Sequence, residues 1–149
     1  LNYKGFDLSM FWQGVYDKDV YNNQKFQTDF WSITDAGSNK GNRLLGAWNT
    51  NNTGSTIPAL TTNNTADEGR SSTYFVENGS YLKLRNLQLG YNLPASFLSK
   101  FKMSSARVYL SGQNLLTIKS KSLTCSDPEN PDWNYPLATS ISFGLQLGF

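Results

Sequence analysis

The sequence runs to 149 residues with 38% apolar residues, 14% aromatic residues and a mean hydropathy of -0.47. It carries 13 Lys and Arg against 11 Asp and Glu, no His, and Cys125 as its one cysteine. This excludes an internal disulfide and a Cys/His zinc site. It also excludes a spanning helix, which needs roughly 18–20 consecutive apolar residues, and nucleic acid as a partner, since no basic cluster accompanies the net charge of +2.

In chain order, Leu1 to Tyr3 reads as the end of a strand and Lys4-Gly5 as a two-residue turn. The chain opens in mid-pattern without a signal peptide, like the tail of something longer. Phe6 to Tyr16 then alternates. Phe6, Leu8, Met10, Trp12 and Tyr16 share one side, and Asp7, Ser9, Phe11, Gln13 and Val15 the other. A strand tilted about 45° climbs roughly 2.3 Å per residue, so this stretch covers about 23 Å, near the ~25 Å apolar band of an outer-membrane barrel.

Asp17 to Val76 is long, polar and rich in Asn, Thr, Gly and Ser, with a short helix expected inside Val20 to Trp31. A compact domain rarely carries such a loop, whereas a barrel does on its extracellular side. Disorder is the plainer reading for Asn49 to Ser72.

Gly79 to Leu93 reads as the next strand. Leu87, Leu89, Tyr91 and Leu93 share a parity, but Leu82 and Leu84 fall on the other. Either a bulge lies near Arg85 to Leu87, or the upper part of the strand has left the bilayer. Pro94 ends it. Ala95 to Ser104 is a short connection, with Phe97 and Phe101 one helical turn apart. Ala106 to Ile118 follows, with Val108, Leu110, Leu116 and Ile118 on one side and Gly112 and Asn114 interrupting. Lys119 to Leu137 is a polar loop, and Thr139 to Phe149 is the terminal strand. There Ile141, Phe143, Leu145, Leu147 and Phe149 face one way, and Ser140, Ser142, Gly144, Gln146 and Gly148 the other.

The expected fold is therefore all-β. It is an antiparallel transmembrane β-barrel segment with strands near 6–16, 79–93, 106–118 and 139–149. Its long loops at 17–76 and 119–137 lie outside the cell, and its turn at 94–105 lies in the periplasm. A soluble β-sandwich that binds carbohydrate remains open as an alternative, as does a small outer-membrane adhesin or pore.

Chemistry-bearing motifs are sparse. No nucleophile–base pair, phosphate loop or paired carboxylate in a strand emerges, so the sequence reads as no enzyme and calls for no cofactor. Asp127, Glu129 and Asp132 offer oxygens to calcium, but the spacing is not that of an EF-hand, and a solvated turn is the plainer reading. Trp133 and Tyr135 are candidate stacking residues for a sugar or peptide, with Trp31 and Trp48 as further candidates. Structural rim aromatics are the plainer alternative. Cys125 has no neighbouring basic cluster or His to activate it and reads as inert.

Taken together, YKGFDLSMFWQGVYDKDVYN, ENGSYLKLRNLQLGYNLP, ARVYLSGQNLLTI, DPENP and SISFGLQLGF resemble the C-terminal part of SusC/RagA-type TonB-linked (TonB-dependent) outer-membrane transporters. That resemblance implies the last four to five strands of a 22-stranded barrel. It implies import of glycans or peptides in Bacteroidota, energised by TonB. The partners it implies are the remainder of the barrel and plug, a SusD-like surface lipoprotein, the TonB complex through the missing N-terminal part, outer-membrane lipid, and the barrel assembly machinery. It further implies that the machinery reads a terminal aromatic on an alternating strand, which makes Leu145, Leu147 and Phe149 the candidate assembly signal.

Overall fold

The computed structural model describes residues 1–30, 39–61, 67, 69–132 and 134–149. They form two units. One comprises Leu1–Tyr16, Ser80–Lys119 and Leu137–Phe149, the other Asp17–Gly79 and Ser120–Pro136. In chain order the elements are β1 (Asn2–Tyr3), β2 (Phe6–Val15), β3 (Asp19–Tyr21), α1 (Asn23–Asp29), β4 (Val76–Asn78), β5 (Tyr81–Asn92), α2 (Ala95–Leu98), β6 (Ser105–Lys119) and β7 (Ser140–Gly148).

The first unit is one antiparallel sheet in the order β1-β2-β5-β6-β7. Lys4 and Gly5 close the first hairpin with φ of 46° and 87°. Positive φ at both central residues is what a two-residue turn needs to match strand twist, and Gly accepts it without strain. Register aligns the apolar residues strand by strand: Leu8 with Leu89, Leu89 with Leu110, Leu110 with Phe143. One face of the sheet is thus apolar across four strands. Among the described residues nothing covers it: Phe143 is 75% exposed, and Met10, Leu89, Leu110 and Leu145 are also exposed. A sandwich would bury this face against a second sheet.

The parity flip in β5 is a bulge. Trp12 pairs with Leu84 and Phe11 with Asn86, leaving Arg85 extra. The extra residue returns Leu82 and Leu84 to the apolar face. On the β6 side Leu84 pairs with Leu116 and Asn86 with Gln113, so Asn114 and Leu115 also step out of the ladder. Asn114 takes a φ of 51°, a region Asn tolerates better than most residues. Arg85 Nε donates to Gln13 Oε1 (2.9 Å) and its Nη1 to Asn114 Oδ1 (3.4 Å), on the polar face.

Between β5 and β6 the chain makes α2 and a 3-10 turn over Ser99–Phe101. Phe97 and Phe101 meet there with ring centroids 5.1 Å apart. Lys102 ends the turn in the left-handed region at φ 54°.

The second unit has more order than its composition suggests. β3 pairs with β4. Asn22 caps α1 by accepting from Lys25 N at 2.9 Å. Phe75 is fully buried and lies 5.1–5.7 Å from the rings of Tyr21, Phe26, Phe30 and Tyr74. Val20, Leu123 and Cys125 form a second small core, where the Cys125 thiol donates to the Asp127 carbonyl at 3.4 Å.

Candidate functional site

The polar face of the sheet carries one continuous row. Arg107 on β6 holds Asp7 on β2 with two bonds, Nη2 to Oδ2 at 2.6 Å and Nε to Oδ1 at 3.0 Å. β5 runs between them, and the residue it places opposite Asp7 is Gly90. A Cβ at Gly90 would collide with both the Asp7 carboxylate and the Arg107 guanidinium. The bridge therefore depends on a glycine at that position. Arg107 Nη1 donates onward to Gln146 Oε1 on β7 at 3.2 Å. Tyr109, 5.3 Å from the guanidinium, lies over Gly144 in the same fashion. The row spans four strands with its charges paired. It offers hydrogen bonds to a polar solute and contains no nucleophile next to a base.

In the second unit two buried carboxylates organise a network. Glu77 accepts from Asn22 Nδ2, Thr124 N and Thr124 Oγ1, each at 2.8 Å, and Lys25 Nζ lies at 3.5 Å. Asp29, with no exposed surface, accepts from Arg43 Nε at 2.6 Å and from the Tyr74 hydroxyl at 2.8 Å. Thr124 joins the two groups. Its hydroxyl donates to Glu77 and accepts from Asn22 (2.9 Å) and Arg43 (2.6 Å), the full capacity of a hydroxyl. Lys25 also reaches the Tyr74 carbonyl and sits 3.9 Å from the Tyr74 ring. Burial, with the Asp29 carboxylate beside it, pushes the Tyr74 phenol well above its ordinary range.

Burial alone would raise the Glu77 carboxyl. The bonds from Thr124 and Asn22, with Lys25 nearby, outweigh it and hold the group below its ordinary 4.5. A depressed carboxylate stabilises the fold above the unfolded value, and that contribution is lost as pH falls through the folded one. The protection factor of the Thr124 amide in the full-length protein is therefore expected to hold from neutral pH down to the unfolded carboxyl value and to fall below it. In Glu77→Gln that acid-dependent step should vanish. An unchanged step in the variant would assign it to another group.

The residues singled out in the sequence do not converge. Trp31 and Trp133 lie outside the described residues. Trp48 is 43% exposed, its backbone N–H bonded to Ile57 O at 2.9 Å, and Tyr135 is 99% exposed. Neither ring pairs with another among the described residues. Asp127 spends its carboxylate on its own turn, where Oδ1 accepts from Glu129 N at 2.9 Å, and Asp132 accepts from Asn23. Among the described residues no three Asp, Glu, Cys or His side chains gather as metal ligands do. Leu145 and Leu147 are exposed on the apolar face of β7, and Phe149 lies exposed just past its end. Sequence reasoning missed both polar networks. For the first, a glycine inside a strand was the available signal.

A sheet with one uncovered apolar face and one paired polar face defines a transmembrane β-barrel wall. No family model matches the chain. The structure of the RagAB peptide transporter matches 99% of this chain and 16% of its own, with 32% identity and a TM-score of 0.76. RagAB in its "closed-closed" state gives 31% and 0.75 over the same shares. TonB-dependent receptor P3 of Formosa agariphila is 36% identical over 120 residues, 78% of this chain and 11% of that protein. TonB-dependent receptor P26 of the same organism is 29% identical across the whole chain and 16% of its own length. The chain belongs to the TonB-dependent receptors of the SusC/RagA type and is a segment of their outer-membrane barrel. It spans 11–16% of the length of the curated relatives it matches, and these are receptors and transporters rather than enzymes.

Proposed function

We propose that this segment forms the C-terminal wall and outer loops of an importer for peptides or glycans, energised by TonB and paired with a SusD-like lipoprotein. The observation that carries the reading is the match of 99% of the chain to the RagAB peptide transporter at 32% identity. In this reading the polar row through Arg107 lines the lumen and the apolar face meets lipid. The unit of Asp17–Gly79 and Ser120–Pro136 stands outside the cell, and the α2 turn lies in the periplasm. Trp31, Trp48, Trp133 and Tyr135 supply aromatic contacts to the cargo. The remainder of the receptor supplies the plug and the TonB contact. Uptake of labelled oligopeptides and oligosaccharides by cells with and without the full-length receptor tests this. Uptake of one class should require the receptor and TonB together, and the receptor should co-purify with a lipoprotein. Equal uptake of both classes in the deletion strain removes the proposal.

Leu145, Leu147 and Phe149 serve as the signal for barrel assembly in the same reading. The strand presents an edge whose backbone gives affinity and whose alternate apolar side chains give selectivity. Loss of one exposed ring costs about 1–3 kcal/mol at most, too little to empty the membrane of a large barrel. Deleting Phe149 from the full-length receptor is therefore expected to cut outer-membrane yield several-fold with periplasmic accumulation. Normal yield would leave Phe149 as an interfacial ring only.

A further inference from the structure

We propose that Tyr109 sets the register of β7 on β6, and with it the place where the rest of the barrel joins this wall. The apolar face cannot set it. A one-residue slip would turn the polar residues of β7 to the apolar side, but a two-residue slip keeps every residue on its own face. It would put Leu145 or Ile141 opposite Leu110 in place of Phe143, apolar against apolar each time. The register has to be read on the polar face.

There the partners are unequal. Ser105, Arg107, Tyr109 and Ser111 on β6 face Gly148, Gln146, Gly144 and Ser142 on β7. The Tyr109 ring lies across Gly144 so closely that a Cβ there would overlap the ring at Cζ and Cε1. A two-residue slip would bring Gln146 or Ser142 under the ring, and either side chain begins with the atom for which there is no room. The ring cannot swing to its other neighbour. That neighbour is Gly90 on β5, and the space over Gly90 is taken by the Asp7 carboxylate and the Arg107 guanidinium. Arg107, anchored on Asp7, adds a second contact by donating to Gln146 at 3.2 Å. Either slip would set a glycine opposite it. Gly144 and Gly148 are also the two residues of β7 that are not exposed, as expected where β6 side chains lie over them. Among the described residues β6 is the one neighbour of β7. In a closed barrel its other edge pairs with the remainder of the receptor. A two-residue slip would move that edge by about 7 Å along the strand and break the stagger that closure requires.

The test is disulfide trapping in outer membranes that carry the full-length receptor, oxidised with copper phenanthroline. Leu110→Cys is combined in turn with Phe143→Cys, Leu145→Cys and Ile141→Cys. Facing residues on neighbouring strands have Cα atoms about 4.5–5.5 Å apart and diagonal ones about 7–8 Å, while a disulfide closes only up to about 7 Å. The parent should therefore cross-link positions 110 and 143 alone, and Tyr109→Phe, which keeps the ring, should match it. Tyr109→Ser should raise cross-linking of position 110 to 145 or 141 several-fold. Gly144→Gln combined with Gln146→Gly moves the gap under the ring by two positions and should make 110 to 145 the main product. Heat-dependent gel mobility shows whether each variant is a folded barrel, and Tyr109→Ser decides alone if the exchanged variant does not fold. An unshifted pattern in Tyr109→Ser, or in the folded exchanged variant, would show that the far edge of β7 sets the register. Shifted cross-links in Tyr109→Phe would show that the ring does not read it. Either result ends the proposal.

Discussion

Replacing Asp29 with alanine is expected to destabilise the unit of Asp17–Gly79 and Ser120–Pro136 by about 3–5 kcal/mol, the usual cost of removing one partner from a buried ion pair. Asp29 is fully buried, and the groups around it have been arranged for its charge. Arg43 would keep its contact with Thr124 but lose its counter-ion, and the Tyr74 hydroxyl would lose its acceptor. The loss should spread, because Phe30 and Phe75 pack on Tyr74 and Thr124 carries the strain to Glu77. A second variant separates orphaned charge from lost packing. Asp29→Leu combined with Arg43→Met removes both charges and should cost markedly less than Asp29→Ala alone, since the penalty lies mainly in the uncompensated cation. Native-state hydrogen exchange of residues 19–29 and 73–78 in the full-length receptor measures both, because it reports local opening separately from the barrel. A cost under about 1 kcal/mol for Asp29→Ala would mean that the pair behaves as a solvent-screened surface bridge.

What was legible in the sequence follows the range of the interactions. β2 and β7 could be read because strand alternation is local: Leu8, Met10, Phe143 and Leu145 announce their face to their next-but-one neighbours. The break at Arg85 was legible as a break, but whether it was a bulge or a departure from the bilayer depended on β6. Only pairing with Gln113 and Leu116 shows the extra residue absorbed. Asn114 looked like an interruption of an apolar series and is the bend of the second bulge. The partners in the polar networks could not be read, and only the strand glycine at Gly90 hinted at the first of them. Asp7 and Arg107 stand 100 positions apart, and Asn22 and Thr124 stand 102 apart, and no periodicity links them. Composition also misled. Enrichment in Asn, Thr, Gly and Ser suggests a solvated loop, but Asn22, Asp29 and Thr124 serve as internal hydrogen-bonding groups beside a core of five rings. The aromatic candidates fared differently because stacking on a ligand needs two surfaces at a set distance. A Trp or Tyr in a polar loop says only that a ring is available.

The largest effect expected in the sheet is a charge on its apolar face. Phe143→Arg in the full-length receptor should cost about 2–4 kcal/mol, the depth-dependent penalty for a cation near the bilayer midplane. Phe143 pairs with Leu110, which pairs with Leu89 and through it with Leu8. The position therefore sits inside the apolar band that runs through β6, β5 and β2, and its cross-strand partner on that face is Leu110. Ser142 is the control. It is the preceding residue, pairs with Ser111, and points to the face that carries Gln146 and Arg107. Ser142→Arg should cost well under 1 kcal/mol there, since solvent screens an added charge on a wet wall. The two variants share strand, height and introduced group, so backbone propensity and chain position cancel. Denaturant unfolding of the receptor in vesicles gives both numbers. If Ser142→Arg proved the more damaging, lipid would lie against the face that holds the Asp7–Arg107 bridge, and the assignment of wall and lumen would be reversed. Equal costs would mean that neither face meets hydrocarbon.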